Sequence, residues 1–185
     1  MKTGVRALGV AESYSGQTST LAGSVVRASR VVDGFVFGEC TVGGSDATDA
    51  IAAMVERLDR EDVRYLVVSG VAPAWFNVVD LRALHERTGL PVLSVTYEAS
   101  PGLADAIREA FDDESTAQDR IEAYRAQPER RPVTVNDETV YVRAVGLADD
   151  EAADVVRGFT PEGGRPEPLR VARLAARAAE SFRET

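Results

Sequence analysis

The chain has 185 residues, with 30 acidic against 21 basic side chains and a net charge of −9. Its 44% hydrophobic and 28% charged residues are ordinary for a globular protein and exclude wholesale disorder. No apolar run approaches the ~18 residues of a membrane helix and no apolar signal segment opens the chain, so a cytoplasmic protein with no membrane partner is expected. The single cysteine, Cys40, excludes an intrachain disulfide and a multi-cysteine zinc site. The single histidine, His85, excludes a histidine-rich metal centre and argues against a Ser-His-Asp triad. At roughly 150 residues per domain, residues 1–185 are expected to form one domain.

Lys2 is the only lysine, so every other basic residue is arginine. The acidity fits a salt-adapted cytosol such as that of a halophilic archaeon, where screening relieves self-repulsion. A GC-rich genome would account for arginine over lysine but not for the acid excess. Net negative charge also opposes non-specific attraction to nucleic acid, an objection that salt adaptation weakens.

Three short apolar runs come first: Val5 to Val10, Leu21 to Val26 and Val31 to Phe37. Short polar links between them predict an antiparallel meander. The period then changes. Ala47, Ala50, Ile51, Met54, Val55 and Leu58 predict an amphipathic helix over 47–58, with Ser45 and Asp46 as N-cap candidates. Val63 to Val68 reads as a buried strand. A helix follows from about Asn77 to Arg87, closed by Gly89. Pro91 to Tyr97 is the next strand, and Ser100-Pro101 opens a helix to about Phe111. A helix over 115–126, a hairpin around Asn136-Asp137 and a short helix over 149–156 come next. A Gly- and Pro-rich loop and a last amphipathic helix, Leu169 to Phe182, complete the chain. The β-β-β-α-β-α-β-α order predicts an α/β fold, a ribonuclease H-like mixed sheet with helices on both faces.

Three stretches carry candidate chemistry. Between the third strand and the first helix lies Thr41-Val42-Gly43-Gly44-Ser45-Asp46-Ala47-Thr48-Asp49. Gly43 and Gly44 allow close backbone approach, the helix start offers N–H groups to an anion, and Asp46 and Asp49 share a helix face. A capped helix with acids in its first turn explains the same pattern, and on spacing alone that plainer reading is the stronger. After the fourth strand, Trp75 and Phe76 could stack on a base, or pack under a helix capped by Asn77. Before the last helix, Arg170 could contact a phosphate or pair internally with Glu167. Glu12 is the only acid at the end of the first strand. His85 reads as an ordinary surface residue and Cys40 as a small core residue.

Several of these residues resemble a known family. Gly4-Val5-Arg6-Ala7-Leu8-Gly9-Val10, Leu21-Ala22-Gly23 and Thr41-Val42-Gly43-Gly44-Ser45-Asp46-Ala47-Thr48-Asp49-Ala50 are similar to an archaeal family called domain of unknown function 99. So are Phe76-Asn77-Val78-Val79-Asp80 and Pro166-Glu167-Pro168-Leu169-Arg170. Members are described as endonuclease dU, acting on deoxyuridine in DNA. The family in turn resembles endonuclease V, whose tail is similar to Val145-Gly146-Leu147 followed by Pro166-Glu167-Pro168-Leu169-Arg170.

The resemblance implies a Mg²⁺- or Mn²⁺-dependent endonuclease of DNA repair, with RNA as an alternative substrate. Asp46 and Glu12 would be catalytic metal ligands, with Asp49 in support. Gly43, Gly44, Trp75, Asn77 and Arg170 would contact substrate. The chain also departs from the pattern. Where relatives carry GVDDG it has Gly9-Val10-Ala11-Glu12-Ser13, and adjacent strand residues point to opposite faces. Glu12 replaces the missing acid only if the strand has already turned. Ser69-Gly70 and Leu147 stand where endonuclease V has aspartate and histidine. A nucleic-acid-binding protein that has lost its metal site, or a nucleotide-binding module using the Gly43-Gly44 loop, are the alternatives.

Overall fold

The computed structural model describes residues 1–185. Three long strands form the meander: β1 (Arg6–Ser15), β2 (Thr18–Arg27) and β3 (Val32–Thr41), paired antiparallel. They are longer than the apolar runs that signal them, because β2 carries its pairing into polar residues at both ends. Helix α1 (Ala47–Leu58) crosses to β4 (Val63–Ser69), which lies parallel to β1. A single turn, α2 (Pro73–Phe76), and α3 (Leu81–Thr88) lead to β5 (Val92–Thr96), parallel to β4. Helices α4 (Ala104–Ala110) and α5 (Glu114–Arg125) follow, then the hairpin β6 (Arg131–Val135) and β7 (Glu138–Val145). Helices α6 (Asp149–Gly158) and α7 (Glu167–Arg183) complete the fold. The seven strands lie in the order β3-β2-β1-β4-β5-β7-β6.

The sheet has a core on each face, as the element order requires. Leu8, Val10, Leu66, Val68 and Val92 face Ile51 and Met54 of α1 and Leu81 and Leu84 of α3. Ala7, Val67, Leu93 and Val95 face Val155 and Val156 of α6 and Leu169 of α7. Alternating side chains therefore separate the two layers.

Local chemistry moved three helix starts. Asp80, not Asn77, caps α3 by accepting from the N–H groups of Arg82 and Ala83, so that helix begins later than its apolar pattern suggests. Ser100 accepts from the Gly102 N–H in a turn rather than capping a helix, and α4 waits until Ala104. Asp113 caps α5 through the Thr116 N–H. Gly89 does close α3, at φ 69°. His85 is not a surface residue. It is half-buried, its Nδ1 lies 2.7 Å from the Leu90 carbonyl oxygen, and its ring fills the space where Gly146 lacks a Cβ.

Two contacts hold the meander and the last helix in place. A Cβ on Gly9 would lie 2.6 Å from Pro168 Cβ and closer still to its carbonyl, so the first turn of α7 rests directly on β1. Buried Ser24 of β2 donates to the Pro168 carbonyl oxygen at 2.7 Å. Three residues nearer the start of β1, Asp33 accepts from Arg27 at 2.6 Å and from Arg6 at 2.5 Å, joining all three strands. Those two guanidinium groups hold its carboxyl down at about 2.

Gly9→Ala is expected to destabilise the fold by about 1–3 kcal/mol, read by urea unfolding, because it overpacks a backbone contact. An unfolded aspartate titrates near 3.9, above the folded value of Asp33. The stability that Asp33 contributes is therefore complete above about pH 4 and is lost as pH falls toward 2. In Asp33→Asn that part of the acid dependence disappears, which acid titration of circular dichroism would show.

Candidate functional site

The glycine-rich turn after β3 is closed by side chains rather than left open. Asp46 does not cap α1 with its carboxylate. It turns back to accept from the Thr41 N–H at 3.0 Å and the Thr41 hydroxyl at 2.8 Å. Asn77 lies inside this turn with 0% exposure. Its Oδ1 accepts from the Ala47 N–H at 3.0 Å, capping α1 from 30 residues away. Its Nδ2 donates to the Thr41 carbonyl at 2.8 Å and to Asp46 Oδ1 at 2.7 Å. Burial would raise the Asp46 carboxyl, but the hydrogen bonds from Thr41 and Asn77 outweigh it and hold it below the usual carboxylate range. The Gly43 N–H donates to the Ala74 carbonyl at 2.7 Å and the Gly44 N–H to the Thr41 carbonyl at 3.0 Å. Both N–H groups are spent within the turn.

Glu12 lies within β1, which runs on to Ser15. It shares a face with Leu8 and Val10, opposite Ala11, and accepts from the Ser19 hydroxyl at 2.7 Å. Glu12 therefore does not replace the acid that Ala11 lacks. It lines a narrow crevice with Ala11, Ser69 and Gly70, where β4 ends and β1 runs on past it. Glu12 and Asp46 both act on Cys40, a buried core residue whose thiol is pushed up to about 12, chiefly by burial. Asp49 points elsewhere, to Arg87 at 2.5 Å.

No group of three or more histidine, cysteine or acidic side chains converges anywhere in the chain. Asp46 is saturated by hydrogen bonds, Asp49 is paired with an arginine, and Glu12 is a lone acid at its crevice. These residues form no ready-made carboxylate cage, and a Mg²⁺ held by one or two carboxylates with substrate phosphates would find only Glu12 at the crevice.

Beside the crevice the chain adopts a rare backbone. Ala74, Trp75 and Phe76 have φ of 48°, 58° and 59°. Each such residue costs about 1–3 kcal/mol, and the turn persists because Pro73 and Asn77, and Val71 and Val79, are bonded across it. Trp75 is 47% exposed and stands edge-on to Phe76, which meets Phe111 in turn. Trp75 is therefore not packed away under a helix, and Phe76 is half-buried between Trp75 and Phe111.

A feature that spacing did not single out is a concentration of unpaired arginines at the carboxyl ends of β4 and β5. One cavity there, of 410 Å³, is bordered by Arg130, Arg143 and Arg165. A groove of 730 Å³ beside it is bordered by Arg165, Arg170, Arg173 and Arg177. The two share Tyr97 and Arg165. Arg170 donates to Glu167 through two guanidinium nitrogens, Nε at 2.7 Å and Nη2 at 2.6 Å. The other five have no carboxylate at ion-pair distance. The i, i+4 spacing of Arg173 and Arg177 was available in the sequence, but only the fold sets them beside Arg165.

A family model described as endonuclease dU matches residues 3–180. A UPF0215 protein of Methanopyrus kandleri is 35% identical over 181 residues, covering 95% of this chain and 91% of the relative. The crystal structure of a protein of unknown function from Archaeoglobus fulgidus superposes with a TM-score of 0.83 at 27% identity, covering 94% of this chain and 97% of that one. Endonuclease V of Ciona intestinalis, solved with a 24mer DNA containing an inosine, superposes with a TM-score of 0.58 at 14% identity. That superposition covers 96% of this chain and 86% of the enzyme and shows a shared fold, the ribonuclease H-like class expected from the element order. No helix is long and apolar enough to cross a membrane.

Asn77→Ala is expected to lower stability by about 1–3 kcal/mol, because it strands the Ala47 N–H and removes a donor from Asp46. A urea titration beside Asp49→Ala, which breaks only an exposed pair and should change stability by less than about 1 kcal/mol, checks the contrast.

Proposed function

The chain belongs to the endonuclease dU family, and from that premise we propose that it is a nuclease-like protein of DNA repair that acts at deaminated bases such as deoxyuridine. The observation that carries this reading is the arginine-lined groove. In a chain with nine more acids than bases, Arg165, Arg173 and Arg177 gather along one side of α7 with no carboxylate at ion-pair distance, in a groove that Glu138, Glu162 and the Arg170-bound Glu167 also border. Such a row suits a phosphate backbone, where guanidinium groups release counterions on binding. The carboxyl ends of parallel strands are where open α/β sheets hold ligands.

Within this reading each residue has a role. Arg173 and Arg177 track the strand. Trp75, exposed on its strained turn, offers a face on which an extruded base stacks. Glu12 is the acid beside the crevice of β1 and β4 and the candidate for accepting a proton there. Asp46, Asn77, Gly43 and Gly44 hold the turn beneath Trp75. Arg170 is committed to Glu167 and orients the start of α7.

A second reading has its own observation. Ala11 removes the first-strand acid, and the remaining carboxylates are dispersed or saturated. That pattern suits a protein that binds damaged strands without cutting them.

One assay separates the two. Labelled DNA and RNA oligonucleotides carrying uracil or hypoxanthine are titrated at high potassium chloride, with and without Mg²⁺ or Mn²⁺. Lesion-dependent cutting that is lost in Glu12→Gln supports the first reading; tight binding with no cutting under any of these conditions supports the second. In either case Arg173→Ala with Arg177→Ala is expected to weaken binding and to reduce the salt slope by roughly two. Equal affinity and slope in that double variant would remove the groove from the function.

A further inference from the structure

We infer that the cavity at the ends of β4, β5 and β7 is a phosphomonoester pocket sized for a nucleoside monophosphate. The nucleoside portion rests on the nucleic-acid reading above; the phosphate portion stands on the cavity alone.

Arg143 is the starting point. It projects from β7 opposite Ser94 and is 9% exposed. It donates to the Pro128 carbonyl oxygen and to the Tyr124 hydroxyl, and its guanidinium lies 5.2 Å from the Tyr124 ring. None of these partners carries negative charge. Burying a cation without a counter-charge costs several kcal/mol unless an anion joins it. Burial lowers the Arg143 pKa; the contact with Tyr124 works against that and the nearby charge of Arg130 with it, and the net direction is down.

Arg130 and Arg165 border the same cavity and are held in the same neutral way. Arg130 donates to the Ser100 carbonyl oxygen at 2.7 Å and lies 4.6 Å from the Tyr141 ring. Arg165 lies 4.4 Å from the Tyr97 ring. Aromatic rings and carbonyls thus fix three guanidinium groups around one space, and Glu98, the one carboxylate on its wall, forms no ion pair with any of them. The Tyr97 hydroxyl, also on the wall, is buried with no hydrogen-bond partner.

The charge and the size select the ligand. A phosphodiester carries one negative charge, whereas a phosphomonoester carries about two at neutral pH and presents three acceptor oxygens to forked donors. A cavity of 410 Å³ falls within the range of small-molecule sites, about 300–1,000 Å³, and exceeds the need of a bare phosphate. Tyr97 and Tyr124 supply aromatic surface for the remainder. The nucleotide comes from one of two sources, a free mononucleotide or the phosphorylated end of a strand lying in the adjoining groove.

Calorimetric titration of the full chain tests this, with dUMP, deoxyuridine and inorganic phosphate as probes. Saturable binding of one dUMP per chain is expected, roughly ten-fold or more tighter than either fragment, and weakened by a similar factor in Arg130→Gln and in Arg165→Gln. Both residues are half-buried and outside the core, so thermal unfolding should show these variants folded even if an Arg143 variant is not. Octanucleotides with and without a 5′ phosphate identify the source. Preference for the phosphorylated strand assigns the pocket to a strand end, and equal binding alongside tight dUMP assigns it to the free nucleotide. No binding of dUMP, phosphate binding as tight as dUMP, or unchanged affinity in the Arg130→Gln/Arg165→Gln double variant would overturn the proposal. Lesion-dependent cutting without dUMP binding would sink the pocket and leave the repair reading intact.

Discussion

The molecule is organised around the passage of Pro168 over Gly9. A side chain at residue 9 would meet the Pro168 backbone, so glycine there lets the first turn of α7 lie directly on β1, and Ser24 locks it from β2. That contact sets the height and direction of a 17-residue helix over the sheet. Everything α7 carries follows from it. Leu169, Ala172 and Ala176 enter the core, while Arg173 and Arg177 are placed beside Arg165 and the end of β5. Further along, Ser13 donates to Glu180 and Arg183 pairs with Glu39, so the helix is held to all three meander strands.

The Asn77 clasp is the second fixed point. Three polar groups meet in one buried amide: the first N–H of α1, the Thr41 carbonyl and the Asp46 carboxylate are joined through it. The amide fastens the turn after β3 to the segment after β4 and gives the left-handed residues Ala74 to Phe76 a rigid frame. Trp75 is therefore presented rather than buried. The cost of that backbone is spread over hydrogen bonds made by its neighbours, which is how strained segments persist.

Charge is distributed against the average of the chain. Acidic residues dominate the exterior, yet arginines without acidic partners collect where β4 and β5 end. A net charge of −9 opposes a polyanion at long range, and at high salt that repulsion is confined to a few ångströms. Local guanidinium groups then decide what is held. The acids show the converse. Asp46, Asp49 and Glu12 each answer a donor or an arginine nearby, so they are structural charges before they are anything else.

Element types and their order were legible in the sequence. Short apolar runs marked the strands, period-3.6 spacing marked α1 and α7, and Asn136-Asp137 marked the hairpin, because these signals are local. The family was legible in the glycine-rich turn and in the Pro166 to Arg170 segment. Helix starts were misplaced where a side chain such as Asp80 captured backbone N–H groups that the apolar pattern does not register. The candidate site was read less well. Asp46 and Glu12 stand out in the sequence as acids beside a glycine-rich turn and a strand end, but their hydrogen bonding depends on Thr41, Asn77 and Ser19, which spacing does not connect to them. The arginine cavity escaped notice because Arg130, Arg143 and Arg165 lie in three separate segments. The chain alone determined which elements form and which family they belong to. Only the tertiary structure decided which charges are answered and which are left open, since that depends on groups far apart in sequence meeting in one low-dielectric space.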